Sequence, residues 1–136
     1  MPLLDAEKIV GDYLKDQPAV EALKARVVSK TPSTLDLPWV RITLLTPTNV
    51  TGTTRVEWLM AYYLQFDCYA GRDGGRPEAF ALAAAVRSAL VEMPTVELPD
   101  AVATDAAFPS MPKEPDPDIE RERYVIDGEL WMHPKP

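Results

Sequence analysis

One cysteine and one histidine in 136 residues leave few side chains for chemistry. A single cysteine excludes an internal disulfide. Cys68 sits mid-strand among apolar residues, where an inert core thiol is expected; a reactive one needs exposure and nearby positive charge. His133, beside a proline-rich terminus, has no orienting group with which to build a triad on Cys68 or any serine. No apolar run approaches the roughly 18 residues of a membrane span, and MPLLDAEKIV lacks the basic-then-apolar form of a signal peptide. The chain is therefore expected in the cytoplasm where it is made, or in something assembled there, and the Asn49-Val50-Thr51 sequon carries no meaning without secretion. Positive charge is also scarce: 14 Lys and Arg against 21 Asp and Glu give a net −7. That balance argues against gripping nucleic acid through its phosphates. It leaves DNA possible as a neighbour, because a channel through which DNA slides without sticking wants acidic walls.

What is present is apolar and patterned. A 46% apolar fraction with 26% charged residues is ordinary for a globular chain, and residues 1–136 read as one domain with no internal repeat. The most informative stretch runs from Glu57 to Val91: a long strand, a glycine turn and an amphipathic helix. Trp58, Met60, Tyr62, Leu64, Phe66 and Cys68 alternate onto one wholly apolar face. The other face carries Leu59, Ala61 and Tyr63 before turning polar at Gln65 and Asp67. A strand apolar on one face and on half of the second calls for two coverings. The protein's own core supplies the first, and another subunit is the expected second, which points to a protein that works by assembling.

The remaining elements follow from period and punctuation. Asp5 is a good N-cap for an amphipathic helix over 5–16, and Pro18 suits the start of a further helical turn, PAVEALKA. RVVSK, from Arg26, is a short strand, and PWVRITLLT, from Pro38, a stronger one with Val40, Ile42 and Leu44 on one face. Residues 47–56, PTNVTGTTRV, form a polar, threonine-rich connection expected to project as a loop or arm. GRDGGR turns the chain into a helix opened by Pro77, with Ala79, Leu82, Ala83, Val86, Leu90 and Met93 inward. Residues 99–120, rich in proline and acid, are expected to be a long loop with at most a short strand around Val102. A last strand follows over 121–133. The order gives an α+β fold: a small, mostly antiparallel sheet with an N-terminal helix and a second helix packed on it.

No constellation in the chain points to catalysis, metal or cofactor. GRDGGR lacks the spacing and the lysine of a phosphate loop, and a turn needing positive φ at Gly74 or Gly75 explains it better. Asp116, Asp118, Glu120 and Asp127 fall near calcium-loop positions, but Arg121 stands where glycine is required. Asp67 and Asp127 could face each other as paired carboxylates, although Arg41, Arg121 or Arg123 are better partners for them. Trp39, Trp58 and Trp131 have no basic groove around them for stacking bases, so core or subunit packing is expected.

Several stretches, taken in order, carry a resemblance: DYLKDQPAVEAL, RVVSKTP, LPWVRITLL, LQFDCYAGRD, EAFALAAAVRSAL and RERYVIDGELWMH. Their order and wording are similar to the tail terminator proteins of long-tailed bacteriophages, and look closest to those of actinobacterial phages and prophages. The resemblance covers nearly the whole chain and involves no catalytic motif. It implies a virion protein at the head-proximal end of the tail, assembled in the host cytoplasm. It further implies a homo-oligomeric ring, commonly a hexamer, that caps the tail tube, stops its polymerisation and presents a surface to the head connector or head-closure protein. DNA passes through such a ring without specific binding, and no membrane is involved. Another neck component, such as a head-closure or tail-completion protein, and the tube protein itself stay open as readings, as does a small α+β binding protein or enzyme. The pattern alone names Val50, Thr51, Arg55, Val56, Leu59, Ala61 and Tyr63 as the candidate interface with a neighbouring subunit or the tube.

Overall fold

The computed structural model describes residues 4–32, 36–49, 59–114 and 121–135. Asp5 caps the first helix, α1 (Ala6–Lys15), by accepting from the Lys8 amide, and Pro18 opens α2 (Pro18–Ala22). Among the described residues five strands form one sheet: β1 (Arg26–Val28), β2 (Trp39–Asn49), β3 (Met60–Tyr69), β4 (Ala101–Ser110) and β5 (Arg123–Pro134). Their order across the sheet is β1-β2-β3-β5-β4, with only β1–β2 parallel. Between β3 and β4 lie α3 (Gly75–Glu92) and a single 3-10 turn over Met93–Thr95. The α+β reading holds, with a mostly antiparallel sheet and helices packed on it.

Alternation decides the two faces. Val40 and Ile42 of β2, Tyr62, Leu64, Phe66 and Cys68 of β3, and Ile126, Leu130 and Met132 of β5 are buried on one face. The inward side of α3 seals them with Ala79, Leu82, Ala83, Val86 and Leu90, the stripe expected from its spacing, and α1 adds Val10 and Leu14. Small residues in that stripe let the helix lie close to the sheet. Gly75 has φ +64, the left-handed conformation that a glycine turn into the helix supplies; Gly74 is at φ −80.

The edges show where pattern reading fell short. Within the loop expected over 99–120, residues 101–110 form a strand, β4, and residues 115–120 lie outside the described residues. Alanine, aspartate and Pro109 are poor strand formers, and two register shifts against β5 break the alternation. Tertiary context makes the strand: Ala101, Ala103 and Phe108 are buried, and Phe108 meets Phe66 edge-on at 5.8 Å. Gly128 of β5 admits the bulged backbone, since a Cβ there would overlap the Ala107 carbonyl oxygen. At the other edge β2 runs past β1, and the Leu44 amide donates instead to the Glu7 carboxylate of α1 at 2.8 Å. The strand expected to begin near Glu57 starts at Met60. Trp58, and residues 50–56 of the expected projecting loop, lie outside the described residues, while residues 47–49 extend β2 and pair with β3.

Candidate subunit interface

The face of the sheet turned away from the helices divides into two ends. At the first, where β2 begins and β3 finishes, Asp67 is 1% exposed and held by three side chains. Arg41 of β2 donates to Asp67 Oδ2 through Nη2 at 3.0 Å and Nε at 3.2 Å. Gln65 Nε2 donates to Oδ1 at 3.0 Å, and Arg123 Nη1 of β5 lies 3.6 Å from the same oxygen. Both guanidiniums stand over the Tyr69 ring, 5.7 and 5.9 Å from its centroid, and Tyr69 stacks on Trp39 at 4.3 Å. A buried carboxylate costs several kcal/mol unless it is paired and hydrogen-bonded, and here two cations and an amide compensate it. The cluster ties together three neighbouring strands. Asp127 lies opposite Gln65, not Asp67, so the two aspartates do not form a carboxylate pair.

The second end holds the candidate interface. Ala61 lies opposite Trp131, and Tyr63 opposite Glu129. Leu59, Tyr63, Glu129, Trp131 and His133 are all half-buried, while Ala61 is 2% exposed and already withdrawn by its own chain. No helix packs on this end among the described residues. The Glu129 carboxylate accepts a hydrogen bond from Tyr63 and so pushes the phenol above its ordinary range. Asp105 of β4 lies opposite Trp131, and exposed Asp127 extends the acidic border. Of the seven residues named from pattern, the structure brings Leu59, Ala61 and Tyr63 together; Val50, Thr51, Arg55 and Val56 lie outside the described residues. The seven do not include Glu129 or Trp131, although Trp131 is expected from the sequence in core or subunit packing. The signal was available in the alternation of β5, but only the β3–β5 register shows that they adjoin Ala61 and Tyr63.

Cys68 and His133 are kept apart by the fold. Burial, with the neighbouring Asp67 charge, pushes the Cys68 thiol far above its ordinary value, so the thiolate is suppressed. Cys68 faces the helices, opposite Tyr124, whereas His133 pairs with Val102 at the far end of β5 on the other face. No group of three or more His, Cys, Asp or Glu that could hold a metal occurs among the described residues. Nor is any helix there long and apolar enough to cross a membrane.

Two comparisons place this geometry. The family model described as tail completion protein gp17 matches residues 10–133. A chain of the virion of the native gene transfer agent (GTA) particle superimposes with a TM-score of 0.74 at 17% identity, covering 93% of each chain. At that identity the likeness establishes the fold. No curated protein matches the chain.

Proposed function

The chain belongs to the tail completion protein gp17 family, and on that premise we propose that it forms the ring that caps the finished tail tube. Membership makes it a structural protein of the virion tail, with its role at the head–tail neck. In the proposed reading, about six copies close head to tail, halt addition of tube protein and offer the head connector a docking surface. The observation that supports this is the second end of the open sheet face. Leu59, Tyr63 and Trp131 gather there with no helix over them among the described residues, although the other face is packed under α1 and α3. Closure through two different patches per subunit is how such a ring would form. Candidate residues Val50, Thr51, Arg55 and Val56 belong to the same proposal, as contacts of the 47–56 connection with a neighbour or the last tube ring. Six copies at −7 would carry about −42, and a bore sharing that charge would repel DNA and let it pass.

The test is particle size, by light scattering with electron microscopy, on the chain alone and with tail tubes. A discrete closed ring, alone or on tube ends, is the expected result. Long open cylinders would make it the tube protein, and a monomer that neither closes nor binds tubes would return it to the other neck components. No turnover of a substrate is expected. Shortening 50–56, beyond the end of β2, to a two-residue turn should leave the melting temperature nearly unchanged while tails overgrow or fail to join heads.

A further inference from the structure

A cleft of about 480 Å³ separates α1 from the segment that leads into β4, well away from the open sheet face. Its floor is apolar: Leu4, Ile9 and Tyr13 are half-buried and Leu98 is 4% exposed. The Tyr13 hydroxyl donates to the Ala89 carbonyl at 2.7 Å, which fixes that wall against α3. Five carboxylates rim the cleft, Asp5, Asp12 and Asp16 from the α1 side and Glu97 and Asp100 from the other, against one lysine, Lys8, which is engaged with Asp12 at 2.8 Å. Neither Asp16 nor Asp100 is in a contact ion pair among the described residues, although Asp100 lies near enough to Lys8 to favour its charged form. An apolar floor lies between two acidic banks, and the chain already shows what suits the banks: Lys135, from the far end of the sequence, sets its ammonium 3.2 Å from Glu97. A cation beside an apolar surface gains both charge pairing and burial of its stem.

We propose that this cleft docks a segment of another polypeptide in which lysine or arginine side chains flank apolar ones, the apolar groups on the Ile9–Tyr13–Leu98 floor and the cations on the Asp16 and Asp100 banks. The inference goes beyond the ring reading and does not depend on it, since the cleft is complete within one chain. Nuclear magnetic resonance titration of the full chain tests it with the peptide acetyl-Lys-Leu-Leu-Lys-amide. Saturable shifts confined to Ile9, Tyr13, Leu98 and their neighbours are expected below about 5 mM, weakening in high salt. The Glu-Leu-Leu-Glu peptide should give none, and the Asp16→Asn/Asp100→Asn variant, both positions being exposed, should bind at least about fivefold more weakly with an unchanged melting temperature. The proposal fails if shifts are absent or scattered over the surface, if a Lys-Ser-Ser-Lys peptide binds equally well, or if the double variant binds as tightly as the natural chain. Ring formation, read separately by particle size, can survive any of these failures.

Discussion

At one end of the open sheet face, Trp39, Tyr69 and Asp67 are almost wholly withdrawn from solvent; at the other, Leu59, Tyr63 and Trp131 keep part of their surface. The same strands, β2, β3 and β5, build both ends, with a register shift in β2 between Leu44 and Thr46 lying between them. Side-chain chemistry separates them further. The first end closes on itself by surrounding one carboxylate with Arg41, Arg123 and Gln65 and roofing it with stacked rings. The second offers large rings and a border of acids, with no Lys or Arg on it among the described residues. On the proposed reading, folding draws on the first half of this surface and assembly on the second, and each half can be perturbed alone.

The largest expected effect is at the closed end. Asp67→Ala removes the carboxylate that Arg41 and Arg123 share, and both guanidiniums are only partly exposed, 27% and 18%. Breaking a buried pair in this way costs about 3 kcal/mol or more, read as a lower denaturation midpoint with an unchanged slope. A loss under about 1 kcal/mol would mean that the cluster is a surface pair in disguise and that the two ends are not different in kind.

Cys68 reports the same opening from inside. It follows Asp67 in the chain but points to the helix side, fully buried with its thiol held protonated. Alkylation in the native protein should therefore be negligible, and Asp67→Ala should speed it by about a hundredfold, the equivalent of nearly 3 kcal/mol. Rapid labelling of the unaltered chain would contradict a closed first end. Cys68→Ala should cost only about 1–2 kcal/mol and leave assembly intact.

How far the sequence could reveal this contrast depended on the element. β3 announced itself, because Tyr62, Leu64, Phe66 and Cys68 alternate without a break, and α3 did so through its buried stripe. β4 stayed hidden because Ala, Asp and Pro carry little strand signal and its bulges spoil the period. Arg41 and Arg123 were nameable as partners for Asp67. That they converge on one oxygen pair was not, because it follows from a register that pairs Asp67 with both Arg41 and Val125. Trp131 was assigned to a face but not to a neighbour for the same reason. Local pattern gives the face of a residue, and only cross-strand register gives its company.

At the open end, Tyr63→Ser with Trp131→Ser should cost about 2 kcal/mol, less than Asp67→Ala, since each ring is partly covered by its own chain, while abolishing the closed ring seen by electron microscopy. A variant that folds normally and still forms rings would move the subunit contact elsewhere, and a variant that unfolds would show that this end serves the core as well.

The smallest effect is the most direct gauge of whether the open end becomes covered. Tyr63 holds its proton above the ordinary phenol range because the Glu129 carboxylate accepts its hydrogen bond and repels the phenolate. A folded-state value raised in this way adds stability that is fully present below the ordinary tyrosine pKa and is lost as pH rises through the raised one. Glu129→Gln removes the charge, so the Tyr63 resonance in tyrosine-labelled protein should titrate closer to its ordinary value. Assembly should act in the opposite direction. A subunit seated over Tyr63 would exclude water from the phenolate while leaving Glu129 in place, so the titration in rings should lie above that in the single chain. Rings that dissociate as Tyr63 ionises would show the same linkage from the other side. If the Tyr63 titration is identical in the single chain and the ring, the open end is not the covered surface, and closure has to be sought on the exposed side of α3, where Phe80 and Val91 also stand in solvent.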